Sequence, residues 1–143
     1  MTAVLVDTSV VLKWFHEEGE SDLAEARALL AAHRAERITA YLLDLSLYEV
    51  GNVLVRSLRW PAAEVADQLD DLVLICGPPL VPDLSWLREA AGLAAEHGLT
   101  FYDASFAAAA SRTGARLVSA DKRLLAAGLA ESPRAFAERV LAA

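Results

Sequence analysis

A chain of 143 residues, 55% of them hydrophobic, is long enough for one domain with a proper core and too short for two, and its composition argues against disorder. Thirteen basic residues against 20 acidic ones leave a formal charge of −7. That balance argues against a general basic sheath for nucleic acid but not against a metal-dependent site, because bound divalent ions reverse the local sign. The single cysteine, Cys76, supports neither an intrachain disulfide nor a thiolate metal cluster, and it fits a reducing cytoplasm.

The opening run, MTAVLVDTSVVLKWF, lacks a basic leader and carries Asp7 inside its apolar stretch, so it is not expected to act as a signal peptide. No uncharged stretch approaches the roughly 18–20 residues of a spanning helix, and a non-membrane, cytoplasmic protein is expected. Residues 3–6 predict a buried strand, bounded by Asp7-Thr8-Ser9. Residues 10–15 predict the opening of a helix. Ser21 is the expected cap of a helix running to about His33, with Leu23, Ala26, Leu29, Leu30 and Ala31 on one face. Residues 38–43 predict a second strand. Apolar residues at 47, 50, 53, 54 and 58 have helical spacing. Trp60-Pro61 breaks that pattern, and Pro61 suits the first turn of the next helix, to about Leu74. Gly77-Pro78-Pro79 predicts a loop and Leu80-Val81 a brief third strand. Ser85 is the expected cap of a helix ended by Gly98, and Asp103 opens another ended by Gly114. Residues 116–119 predict a further strand, followed by Asp121 and a short helix toward Ala127. The tail, 133–143, reads as helix, with a last edge strand as the alternative. Strands alternating with helices predict a parallel sheet flanked by helices, with ligands beyond the carboxyl ends of its strands.

Four acids stand where apolar runs stop or turn: Asp7 in AVLVDTSVV, Glu49 in LSLYEVGNVL, Asp103 in LTFYDASFAAAA and Asp121 in RLVSADKRL. Taken singly, Asp7, Asp103 and Asp121 are ordinary helix-cap or turn residues, and Glu49 has Arg56 seven residues on as an ion-pair partner. Taken together they are harder to explain, because desolvated carboxylates need a cation and no matching set of lysines is present. An all-oxygen donor set without neighbouring His or Cys favours Mg²⁺ or Mn²⁺. Such ions activate water and stabilise both oxygens of an in-line phosphoryl displacement. His16, His33 and His97 are scattered and none neighbours an acid motif.

On these four motifs, in this order and spacing, the chain resembles the PIN-domain nucleases, and among them the VapC-type toxins of toxin–antitoxin pairs. The likeness runs from Met1 to about Leu125. It implies one PIN-like nuclease domain over 1–143, folded as a three-layer α/β/α sandwich around a mostly parallel sheet. It further implies an Mg²⁺- or Mn²⁺-dependent endoribonuclease in which Asp7 and Asp103 are the principal metal ligands, with Glu49 and Asp121 completing the pocket. Ser119 matches a family hydroxyl position, and Thr8 and Ser9 stand where they orient a ligand or water. An RNA substrate, a small cognate antitoxin across the helix at 22–33 and the Glu49 helix, and a homodimer are the implied partners. Trp14 and Phe15 are the expected anchors for the antitoxin. Asp44 stands where the family often has a proline, and the C-terminal strand motif is not evident.

Lys13, Arg56, Arg59, Arg112, Arg116, Lys122 and Arg123 flank the acids and are candidate phosphate contacts, with plain solvated charge as the competing reading. Trp14, Phe15 and Tyr102 are candidate base-stacking residues, though packing is the expected role of Tyr102. Two other classes compete: a non-toxin PIN nuclease acting on RNA or DNA, and a phosphotransfer or signalling module with an acidic pocket. The second wants paired acids at the first strand, where this chain has Asp7-Thr8-Ser9.

Overall fold

The computed structural model describes residues 1–142. Its centre is β1 (Thr2–Val6), whose last three residues are fully buried. A strand apolar at every position after Thr2 suits a sheet covered on both faces. It pairs in parallel with β2 (Ile38–Tyr41) on one side and β3 (Arg116–Val118) on the other, giving the order β2-β1-β3. Val4 stands opposite both Ala40 and Arg116, and Val6 is level with Val118.

The pleat sends alternate residues of β1 to opposite faces. Val4 and Val6 join one core with residues of α1 (Thr8–Val11), α2 (Leu23–Arg34), α3 (Asp44–Asn52), α4 (Ala62–Cys76) and α8 (Pro133–Phe136). Leu5 and Leu117 join a second core with α5 (Leu84–His97), α6 (Phe101–Thr113) and α7 (Lys122–Ala126). Two cores on opposite faces of one parallel sheet make the expected three-layer sandwich. The alanine run 107–110 of α6 is buried throughout, and such small side chains let the helix lie close to its neighbours.

Several local expectations are revised. Leu80 and Leu43 form only an isolated bridge, not a strand, because Pro78, Pro79 and Pro82 around Leu80 have no N–H to extend a ladder. Asp83 rather than Ser85 caps α5, accepting from the N–H groups of Ser85 and Trp86. Thr100 caps α6, accepting from the Asp103 N–H, so Asp103 lies within the first turn rather than at its start. Asp22, in the left-handed region, precedes α2 where Ser21 was the expected cap. The helix from Asp44 widens into a π turn over Val53–Ser57, a feature often found near functional sites. The tail is helical: α8 runs into a second π turn, Ala137–Leu141. Among the described residues no helix is long and apolar enough to cross a membrane.

Candidate active site

Asp7 ends the central strand. Its N–H donates to the Val118 carbonyl, while its own carbonyl receives the N–H groups of Val10 and Val11 at the start of α1. The backbone is thereby pinned between sheet and helix, and the side chain, only 5% exposed, stands at the carboxyl edge. It does not cap α1. Instead Oδ2 accepts the Ser9 hydroxyl at 2.6 Å and the Ser119 hydroxyl at 2.8 Å. Both serines are oriented from behind, since Ser9 Oγ receives the Ala120 N–H and Ser119 Oγ receives the Asp121 N–H. Two hydroxyl protons are thus committed to one carboxylate oxygen, leaving Oδ1 free of them.

Glu49 reaches the same edge from α3. Its Oε1 accepts the Thr8 hydroxyl at 2.7 Å, and the Thr8 oxygen lies 3.0 Å from Ser46 Oγ. Ser46, 1% exposed, sits three residues before Glu49 on the same face of the helix. Sequence reasoning missed it; the spacing to Glu49 was the available signal. Arg56 forms no ion pair with Glu49 and is exposed on the π turn. Asp103 comes from the first turn of α6, and Asp121 caps α7 by accepting the N–H groups of Arg123 and Leu124 on Oδ1.

The four acids influence one another. Burial pushes the Asp7 carboxyl up, against the pull of its serine bonds, and Asp121 adds a smaller push. Burial also raises Glu49, with Asp7 and Asp103 contributing like charge. Asp103 is raised by burial, then by Asp121 and Asp7, and only Arg123 offers an opposing positive charge. None of the four takes part in an ion pair among the described residues. As the side chains stand, no three His, Cys, Asp or Glu groups among the described residues form a closed ligand set. The arrangement therefore fits a hard divalent cation through donor chemistry and uncompensated charge, with the carboxylates held back on neighbouring hydroxyls.

Other expected contributors fall elsewhere. Lys13 is buried, bound to Glu20 at 3.0 Å and to the Ser21 carbonyl, so it is no phosphate contact. Arg112 is engaged by Ser85 and Glu89, and Arg116 lies beside Glu131. Trp14 donates its indole N–H to the Ala26 carbonyl, and Phe15 packs edge-on against Trp60. Both are partly buried against the first core, so neither is a free stacking residue. Tyr102, expected to pack, is 60% exposed. His33 accepts the Ala40 N–H on Nδ1 and lies 2.7 Å from the Ile75 carbonyl through Nε2. That histidine ties α2, β2 and α4 together and takes no part in the acidic cluster.

Residues 4–129 match the PIN domain family. The chain is 38% identical over 117 residues to Exonuclease VapC9 of Pyrobaculum aerophilum, covering 73% of this chain and 83% of that protein. It is 30% identical over 125 residues to Ribonuclease VapC3 of the same organism, covering 85% and 91%. Among solved structures it is similar to PAE2754 from Pyrobaculum aerophilum, with a TM-score of 0.68, 29% identity and coverage of 99% of this chain and 91% of that one. The fold is also shared with a toxin–antitoxin complex from Klebsiella pneumoniae at 18% identity, with a TM-score of 0.65 and coverage of 91% and 97%. FitAcB from Neisseria gonorrhoeae, at 19% identity, gives a TM-score of 0.66 and coverage of 92% and 98%. With its four acids at the carboxyl edge of a parallel sheet and a family match over most of its length, the chain belongs to the PIN-domain family and is a nuclease of the VapC type.

Proposed function

We propose that the chain is a single-domain, Mg²⁺- or Mn²⁺-dependent endoribonuclease that serves as the toxin of a toxin–antitoxin pair in the cytoplasm. The observation that carries this reading is the gathering of Asp7, Glu49, Asp103 and Asp121 at one sheet edge, none of them in an ion pair among the described residues and only Arg123 opposing their charge. These four would hold the ion, which when bound polarises the scissile phosphate and acidifies a water for in-line displacement. The protein's own contribution is orientation. Ser9 and Ser119 fix one oxygen of Asp7, Thr8 fixes one oxygen of Glu49, and the capping role of Asp121 leaves its second oxygen available. No histidine is placed to take the proton of a 2′-hydroxyl, so the expected products carry 5′-phosphate and 3′-hydroxyl ends.

Labelled RNA and DNA incubated with and without Mn²⁺, beside an Asp7→Asn variant, test this reading. Metal-dependent RNA cleavage lost in the variant supports it. Full activity in EDTA, or a 2′,3′-cyclic phosphate product, overturns it. The name of one relative, Exonuclease VapC9, raises an exonuclease as the second reading. A closed circular RNA separates the two, since only an endonuclease opens it.

The solved relatives include a toxin–antitoxin complex, and the same kind of partner suits this chain: a small antitoxin lying across α2 and α3, its positive side chain entering the acidic cluster. A homodimer completes the proposal. Toxicity of the chain expressed alone, relieved by the antitoxin, is the expected result; harmless overexpression counts against the toxin role and leaves the nuclease reading intact.

A further inference from the structure

A shallow recess of about 240 Å³ opens beside Glu49, lined by Leu45, Tyr48, Glu49, Asn52 and Tyr102. It is smaller than the ~300–1,000 Å³ typical of pockets for drug-sized ligands. Its two aromatic walls come from different layers of the sandwich. Tyr48 lies on α3 and Tyr102 on α6, and each directly precedes an acid of the site, Glu49 or Asp103. Successive residues on a helix point about 100° apart, so each ring flanks its acid rather than covering it. The rings are 77% and 60% exposed, the largest aromatic exposures on the chain. Asn52, one turn beyond Tyr48, adds an exposed amide with two donors and an acceptor. Arg56 continues the exposed face of the same helix outward.

We propose that this recess is a nucleobase subsite: Tyr48 and Tyr102 clasp the base adjoining the scissile phosphate, and Asn52 reads its edge. The inference rests on the nuclease reading above and adds the group that positions the strand. A single-stranded substrate whose phosphate sits at the acids must lodge the neighbouring base within one nucleotide's reach, and the wall shared through Glu49 makes this recess the adjoining one. Aromatic faces accept any base, whereas an amide discriminates between base edges. An acidic surface binds a polyanion poorly through charge alone, so stacking supplies affinity that the net charge of −7 withholds. A second recess shares Leu45 and Tyr102 but adds mainly apolar walls, including Pro82, Leu87 and Phe101. Its one acid, Asp44, is turned onto its own helix start through the Leu45 N–H. It offers no comparable edge-reading group beside the reacting centre.

Two measurements test the subsite. In the first, a randomised single-stranded RNA pool is cleaved with Mn²⁺ by the parent, Tyr48→Ala, Tyr102→Ala, Tyr102→Phe and Asn52→Ala. Each tyrosine-to-alanine change is expected to raise KM roughly tenfold, with kcat much less affected, and Tyr102→Phe is expected to restore the parent value. Asn52→Ala is expected to flatten the preference at one nucleotide beside the cut. An abasic nucleotide at that position should cost the parent more than either single tyrosine change and cost the Tyr48→Ala/Tyr102→Ala protein nothing further. In the second, an oligoribonucleotide carrying 2-aminopurine is bound without cleavage in EDTA. Its fluorescence is expected to be quenched by the parent and not by the Tyr48→Ala/Tyr102→Ala protein.

Cleavage with unchanged KM and unchanged base profile in the tyrosine variants overturns the subsite and spares the nuclease reading. Quenching that depends on the tyrosines, without any cleavage, does the reverse. Tyrosine variants that turn a dimer into a monomer while leaving 2-aminopurine quenching intact assign the rings to a subunit contact and overturn the proposal.

Discussion

Asp7 and Asp83 occupy the same position, the residue ahead of a helix, and they behave in opposite ways. Asp83 is exposed and spends its carboxylate on the cap, accepting the N–H groups of Ser85 and Trp86 and the Ser85 hydroxyl. Those bonds hold its carboxyl below the usual range. Asp7 is buried, leaves its helix uncapped, and is raised by desolvation despite two hydroxyl donors. Other acids of this protein follow the pattern of Asp83. Glu20 meets Lys13, Asp22 meets Arg134, and Glu131 meets Arg139 and Arg116. At the carboxyl edge of the sheet Glu49 and Asp103 follow Asp7, whereas Asp121 spends one oxygen on the cap of α7. A cap or an ion pair satisfies a carboxylate within the fold, so Asp7, Glu49 and Asp103 stand apart as the edge acids that the fold leaves without either.

The largest effect that tests this contrast is on cleavage. Asp7→Asn is expected to lower Mn²⁺-dependent RNA cleavage by at least about 10²–10³-fold, the scale of losing a group that stabilises transition-state charge. Asp83→Ala should leave the rate of the same assay unchanged. Equal loss in both would mean that Asp7 acts through the fold alone.

The next effect is on stability in the absence of metal. Asp7, Glu49 and Asp103 are raised when folded. Between the ordinary carboxylate range and those raised values the folded chain keeps protons that the unfolded chain has lost. Stability therefore falls as pH rises through that window. Asp7→Asn should reduce this fall and stabilise the metal-free protein at neutral pH, read from urea denaturation. Saturating Mn²⁺ should stabilise the parent by a few kcal/mol, about 2.7 at a hundredfold excess over Kd, and should stabilise the variant far less. A parent indifferent to Mn²⁺ would break the comparison at its root.

Ser119→Ala sharpens it. The change removes one donor to Asp7 and leaves the Asp121 N–H without its hydroxyl acceptor. A stability cost of about 1–3 kcal/mol is expected, together with a cleavage defect smaller than that of Asp7→Asn. The smallest effect is the loss of the ordinary cap. Asp83→Ala should lower the thermal or urea denaturation midpoint slightly, with cleavage intact.

Much of this arrangement was legible in the chain. An apolar run with no polar alternation marked β1 as a buried strand, and the alternation of strands with helices marked the parallel sandwich. Acids at the ends of apolar runs marked the edge where Asp7 and Asp121 lie. Capping was legible in kind but not in position. Asp83 and Thr100 outcompeted Ser85 and Asp103, because which nearby oxygen meets the free N–H groups depends on how the chain enters the helix. The third strand failed for a local reason, the prolines around Leu80.

The sequence by itself determined the layers, the family and the identity of the acids, because periodicity, helix signals and motif order are properties of neighbouring residues. Only the tertiary structure decided how those acids are held. The Ser119 bond to Asp7 joins residues 112 apart and the Thr8 bond to Glu49 joins residues 41 apart. It also decided that Lys13 is buried in an ion pair, that Trp14 and Phe15 pack partly buried against the first core, and that Tyr48 and Tyr102 face solvent. Those outcomes depend on which distant segments meet, and hydrogen-bond geometry and desolvation are settled only where they do.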